Sequence, residues 1–391
     1  MKRIATLLLI LVSASAANAQ YYYQDSKNSQ MLRHAERHEP CRKEVILPQV
    51  NGYNVYKADL HTHTVFSDGH VLPRFRMNEA WQDGLDVVAV TEHIEYRPHE
   101  ATFYDYLKGY TDKEHMPGVK GLEKGKQLVD LNYSVNETLK EAKKYGITII
   151  PGTEITRNGT TVGHFNALFT TDNNTIYDPN PVQAVRNAKA QNALVMHNHP
   201  GWRKTSLDMT ETEATVYGEG LVDGVEVMNG AEFYPGIIDR VQERGLFISA
   251  NSDIHRTTAS DYKLTGHLRP MTLILAKDKS LESLREALEA DRTLALAFDT
   301  VCGEEQLLKD FFVAGMKTTV VRTDSKGVST VMLTNNTSVP YVIKVGDSNQ
   351  FRLDPFCTVS LKSAAGEKVL KFTVLNMFCS KDRHPEVEIA F

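Results

Sequence analysis

Residues 57–69 read KADLHTHTVFSDG, a short apolar run that ends with His61, His63 and Asp68 within eight residues of one another. Side chains on a strand alternate sides at every residue, so two imidazoles two positions apart share a face. A strand that ends in paired imidazoles and then turns an acid back toward them has the beginnings of a metal site. It becomes one only if other segments of the chain deliver partners to the same place.

The surrounding pattern says how they could. From about residue 54 to 300, short apolar runs (55–60, 85–90, 147–150, 193–196, 224–227, 246–250 and 271–276) alternate with helical patterns at 73–82, 127–145, 181–191, 233–243 and 281–290. Strands alternating with helices indicate βα units on a parallel sheet. Seven strands are too many for a small flavodoxin-like sheet and one short of an eightfold barrel. An open doubly wound sheet is the alternative; a barrel suits the pattern better. Residues 97–125 are charged and aromatic, break the alternation, and read as an insertion over one end. Helical periodicity fades after Phe312, and β-like runs at 318–322, 328–334, 341–345, 358–362 and 369–375 predict a small C-terminal β-sandwich-like domain.

The predicted strand ends share a character. The first is followed by His61, His63 and Asp68, the second by Glu92 and His93, and the third by Glu154, with His164 soon after. The fourth is followed by His197 and His199, and the sixth by Asp253 and His255. Barrel active sites are built at the C-terminal ends of strands. So many imidazoles and carboxylates on one face would carry heavy desolvation and repulsion costs, which divalent ions remove. A mixed His/Asp/Glu set suits Zn, Mn or Fe better than Ca or Mg.

The ordered set His-x-His, Asp, Thr-acid-His, Gly-x-Glu, Gly-His, His-Pro and Asp-x-His resembles the polymerase-and-histidinol-phosphatase (PHP) family over roughly residues 54–300. The wording TEHIEY (91–96) and MHNHPGW (196–202) resembles exported bacterial PHP phosphodiesterases. The resemblance implies an α/β fold, a distorted (β/α)7 barrel, with a trinuclear centre that hydrolyses phosphoesters. It implies that His61, His63, Glu154 and Asp253 bind a first metal. Glu154 would bridge to a second with His164 and His199, and Asp68, His93 and His255 would bind a third. His197 is read as lying outside the ligand set, with its exchange for His199 as the alternative. Glu92 stands where the family usually carries aspartate.

The activity so implied is attack of metal hydroxide on a small organic phosphodiester. Phosphomonoester hydrolysis at the same site is the alternative, and a metal-dependent amidohydrolase is the further one, although no lysine falls at these strand ends. His255 is a candidate leaving-group acid. Arg203 and Arg256 are placed to reach non-bridging phosphoryl oxygens, with Arg97 a third option. Trp202 and the tyrosines of 96–110 are candidate walls for a leaving group.

Composition sets the outer bounds. The 391 residues are 41% hydrophobic and 24% charged with a formal charge of −5, so no specific nucleic-acid partner is indicated. MKRIATLLLILVSASAANAQ opens the chain with Lys2 and Arg3, an apolar stretch, and Ala17-Asn18-Ala19 before Gln20, which reads as a secretory signal peptide. Export to the periplasm or beyond, without a stable membrane anchor, is the expectation. The division expected is signal peptide 1–19, N-terminal arm 20–50, barrel 51–305 and β-rich domain 306–391. Among four cysteines, Cys357 and Cys379 lie in the same late segment and are the candidate disulfide pair.

Overall fold

The computed structural model describes residues 22–25, 27–34, 41–99, 130–157, 159–262, 267–346 and 349–391. The expected signal peptide and all but the first three residues of the expected insertion lie outside them. Residues up to Arg42 form one unit and Lys43–Phe391 another. In the first, β1 (Tyr22–Gln24) and β2 (Leu32–His34) form an antiparallel hairpin.

The second unit is built on one curled mixed sheet. Its strands are β3 (Asn54–Asp59), β4 (Val87–Val90), β5 (Thr148–Ile155), β6 (His164–Leu168), β7 (Leu194–Asn198), β8 (Gly224–Asn229), β9 (Glu232–Phe233), β10 (Phe247–Asn251), β11 (Met271–Ala276), β12 (Thr293–Ala297) and β13 (Thr300–Cys302). The hydrogen-bonded path runs β10-β8-β7-β6-β5-β4-β3-β11-β12-β13, with β9 attached to β8. Beyond their C-terminal ends, β3 and β10 meet through a parallel Thr62–Ile254 bridge, Asp253 N–H donating to His61 O (3.0 Å) and His63 N–H to Ile254 O (3.1 Å). Seven strands, β3 to β8 and β10, therefore curl round to touch at the end where the ligand-type residues gather.

Two expectations change here. The sheet is not all parallel, because β6 runs antiparallel to both β5 and β7. Moreover the run 271–276 is not one of the seven strands of the curl; β11 lies antiparallel on the outer side of β3. Thr272 and Thr293 then fasten β11 and β12 to β10 through side-chain bonds to Ala250 O (3.0 Å) and from Ile248 N–H (3.1 Å).

Inside the curl, Leu60, Val87, Ala89, Ile150, Met196 and Phe247 make one apolar cluster. Gly224 leaves the room that Phe247 fills, since a Cβ there would lie 2.2 Å from the phenyl ring. The helices α1 (Pro73–Gln82), α2 (Tyr133–Ala142), α3 (Pro181–Ala190), α4 (Glu211–Gly218), α5 (Pro235–Glu243), α6 (Thr258–Tyr262), α7 (Leu281–Glu289) and α8 (Glu305–Gly315) complete the α part. Proline in the first turn opens α1, α3 and α5, where its missing N–H costs nothing. Asn180 and Ser280 cap α3 and α7, and Thr210 with Glu213 forms a capping box on α4.

The late segment forms β14 (Met316–Thr323), β15 (Ser329–Asn335), β16 (Tyr341–Val345), β17 (Asn349–Leu353), β18 (Thr358–Lys362), β19 (Val369–Val374), β20 (Met377–Phe378) and β21 (Glu386–Ala390). They make two sandwich-like sheets, β14-β15-β18 and β17-β16-β19-β21, while β20 pairs with β13 of the curled sheet. Phe311 and Phe312 of α8, with Tyr341 and Phe372, share an apolar cluster with Leu273 and Leu296 of the curled sheet. All four cysteines are free thiols. Cys357 is exposed while Cys379 is buried, so the expected pairing does not form. Among the described residues no helix is long and apolar enough to cross a membrane.

Candidate metal centre

Nine side chains named from the sequence converge at the end where the sheet meets itself. They fall into four overlapping groups: His63, Asp68, His93 and His255; His61, His199 and Asp253; His61, His63 and Glu154; and Glu154, His164 and His199. His164 reaches them because of the reversed strand. It opens β6 rather than ending it, and its partner in the ladder is Asn198 at the end of β7.

Glu154 lies at the middle. Its Oε2 is 3.6 Å from Nε2 of both His61 and His63 and 2.6 Å from His93 Nδ1. Its Oε1 is 3.1 Å from His164 Nδ1 and 3.8 Å from His199 Nε2. Asp253 Oδ1 lies 3.2 and 3.1 Å from the Nε2 atoms of His61 and His63. Asp68 Oδ1 lies 3.2 Å from His93 Nε2 and 3.1 Å from His255 Nε2.

Apart from the hydrogen bond between His164 Nδ1 and Glu154 Oε1, these approaches leave key atoms unsatisfied. His61 Nε2, His63 Nε2, Asp68 Oδ1 and Glu154 Oε2 are all buried and have no hydrogen-bond partner. Buried polar atoms are almost always satisfied, and these orphaned ones fall within groups of side chains that could hold metal ions. The donor set fits: each imidazole can present a neutral nitrogen, and the carboxylates supply charge and bridging capacity.

The outward-facing nitrogens support this. His61 Nδ1 donates to Glu226 Oε1 (2.9 Å), His255 Nδ1 to Asp253 O (2.7 Å) and His164 Nε2 to Arg157 O (2.6 Å), while His63 Nδ1 meets Ser67 Oγ (3.3 Å). Such bonds fix the ring and its tautomer, so that the other nitrogen faces the centre. Glu226 is fully committed. It also accepts from Asn251 Nδ2 (3.0 Å), His199 N–H (2.8 Å) and Asn229 Nδ2 (2.9 Å). Glu92 anchors the loop after β3 by accepting from Thr64 N–H (3.1 Å), Thr64 Oγ1 and Ser67 Oγ (2.6 Å).

The ion-free electrostatics are correspondingly uneven. Burial opposes the charge on His93, yet Glu154 and Asp68 raise its pKa to about 10. Burial and the neighbouring imidazoles of His255 and His93 push His63 down to about 3. Against the pull of burial, the surrounding imidazoles hold Asp68, Glu154 and Asp253 below the usual carboxylate range.

Above the cluster opens a cavity of about 870 Å³, walled by Tyr96, Thr156, Arg157, Thr160, Trp202 and Arg203. Arg203 is exposed and lies over the Trp202 ring at 4.1 Å. Arg256 is exposed and does not line the cavity, and Arg97, also absent from the lining, donates to His93 O (3.3 Å). Tyr96 lines the cavity, and the tyrosines beyond it in 97–110 lie outside the described residues. His197 is not a ligand. Its two nitrogens are taken by Tyr217 OH (2.9 Å) and Glu213 Oε1 (3.1 Å), facing away from the cluster. Sequence reasoning missed Arg157, which pairs with Glu95, and missed Glu226, whose one signal was a lone acid inside the apolar run GVEVMN.

A curled α/β sheet thus gathers, at its strand ends, overlapping groups of His, Asp and Glu that could hold metal ions. The PHP domain family model matches residues 59–290, and the chain belongs to that family. It is similar, at 32% identity and a TM-score of 0.77, to a two-domain protein from Bacteroides vulgatus that contains a predicted PHP-like metal-dependent phosphoesterase. The match covers 91% of this chain and 100% of that one. A protein from Bifidobacterium adolescentis described as a metal-dependent phosphoesterase is 16% identical, covers 51% of this chain and 88% of its own, and has a TM-score of 0.37. No curated protein matches the chain.

Proposed function

We propose that this protein is an exported phosphoesterase that hydrolyses small organic phosphodiesters at a centre of three divalent ions. The observation that carries the reading is the set of buried, unpartnered ligand atoms of His61, His63, Asp68 and Glu154 beneath an open cavity. His61, His63, Glu154 and Asp253 would hold one ion, Glu154, His164 and His199 a second, and Asp68, His93 and His255 a third. When bound, such ions acidify water and neutralise charge on phosphoryl oxygens.

The remaining roles belong to the chain. Arg203, an exposed guanidinium at the cavity edge, is placed to pair with a non-bridging oxygen. Trp202 and Tyr96 offer apolar surface to an organic substituent. The cavity, within the usual size range for small-molecule sites, has room for a phosphate and substituents on both sides, which favours diesters. The basic, apolar, small-residue start of the chain supports export.

The test is a paired assay of the purified protein on bis(4-nitrophenyl) phosphate and 4-nitrophenyl phosphate, with metal content measured alongside. Diester turnover abolished by chelation and by His61→Ala is the expected result. A monoester preference would overturn the substrate assignment, and bound metal with neither ester cleaved would overturn the phosphoesterase reading.

A further inference from the structure

Beside the metal centre, and outside its cavity, lies a second buried charged cluster. Glu213 of α4 is 1% exposed; its Oε1 accepts from His197 Nε2 (3.1 Å) and Lys204 Nζ (2.6 Å), and its Oε2 from Lys204 Nζ (2.7 Å) and Thr210 N–H (2.8 Å). No bond from Glu213 goes to any of the nine ligand side chains. Isolated buried ion pairs do little for stability, so one retained this close to a centre calls for another account.

The connections supply it. His197 precedes His199 by two residues and Lys204 follows it by five, so a single carboxylate grips the chain on both sides of that ligand. The backbone between needs holding: His199 and Arg203 have positive φ angles of 26° and 56°, costly for residues with side chains. The same carboxylate abuts the backbone just before the other imidazole ligand of the group, His164. Gly163, the neighbour of His164, has φ +96°, and a Cβ on it would lie 2.7 Å from Glu213 Oε1. Thr210 Oγ1 also donates to Val162 O (3.2 Å). The start of α4 thus touches the approaches to both His164 and His199.

The other side of the centre is set by different residues. Arg76, itself buried, donates to His63 O (3.1 and 3.2 Å) and Ile254 O (3.1 Å), strapping the loops that carry His63, Asp253 and His255.

We propose that Glu213 is a positioning residue for the ion of the Glu154, His164 and His199 group, latching the two loops that deliver its imidazoles. This rests on the metal-centre reading above. Losing the latch loosens that one ion and leaves the rest of the centre in place.

The test is stepwise cobalt(II) titration of the chelator-stripped full chain, followed by visible absorption and elemental analysis. Wild type is compared with Glu213→Gln. The expected result is one binding step weakened about 10-fold, the lower end of the range for loss of a partner bonded directly to a ligand, with the other steps unmoved. Parallel weakening of every step, or no change in any, overturns the latch. Wild type that binds no cobalt overturns the metal-centre reading instead. If Glu213→Gln does not fold, Lys204→Met keeps the side-chain length, removes the ammonium, and reads the same step.

Discussion

At the scale of single residues, Glu226 carries more of the centre than its distance from the cavity suggests. A fully buried carboxylate that accepts four hydrogen bonds has no capacity left for an ion, so its work is orientation. Glu226→Gln replaces one acceptor oxygen with a donor that must face either the His61 ring or the His199 N–H. Metal affinity is expected to fall about 10–100-fold with the fold intact, measured by competition against a chelator of known affinity. Unchanged affinity would reduce Glu226 to a core polar group. The residue was illegible beforehand for a physical reason: in a run of strand residues a single acid carries no period, and only the closed curl shows what it faces. His61, His63, Asp68, His93, Glu154, His199, Asp253 and His255 were legible because polar ligand types follow apolar runs at the ends where a barrel places its chemistry.

At the scale of elements, the expected barrel of seven parallel strands becomes a larger curled mixed sheet with a different membership. The five-residue β6, with His164 and Asn166 in it, offers little apolar signal, whereas 271–276 is a strong apolar run that serves outside the curl. Helices fared better where proline marks their start, as at Pro73 and Pro181; the short α4, with its weak apolar face, was not foreseen. β8 and β10 interlock through Gly224 and Phe247. Gly224→Ala would set a methyl group against the Phe247 ring. Overpacking of this kind costs about 1–3 kcal/mol, so the urea midpoint is expected to drop with an unchanged slope. A midpoint equal to that of wild type would mean Phe247 swings aside freely, contrary to its full burial.

At the scale of the whole molecule, the centre couples stability to pH with a sign that depends on loading. In the ion-free protein His93 has its pKa raised from 6.5 to about 10 by Glu154 and Asp68 against the effect of burial. A basic group raised on folding stabilises fully below its unfolded pKa, and that contribution is lost as pH climbs through the folded value. Ion-free stability is therefore expected to decline between about pH 6.5 and 10 in urea titrations. Ion uptake must expel the proton, so apparent metal affinity is expected to rise with pH over the same window. Proton release on loading, followed in a weakly buffered solution, checks both statements at once. Absence of release near neutrality would contradict the protonated state assigned to His93.

The reversal of β6 has a consequence for how this enzyme type could diversify. Glu154 stands opposite Asn166 in a hydrogen-bonded hairpin whose last rung is Ile155–Phe165, with His164 just beyond it, and the connection supplies Thr156, Arg157, Gly159 and Thr160 to the cavity wall. A loop whose two ends are clamped by a ladder can be rewritten, lengthened or exchanged while its anchors stay put. Selection, or a protein engineer, could then retune what enters the cavity through the side chains of this loop while keeping the backbone carbonyl of Arg157 that receives His164, so that diet and machinery evolve on separate clocks.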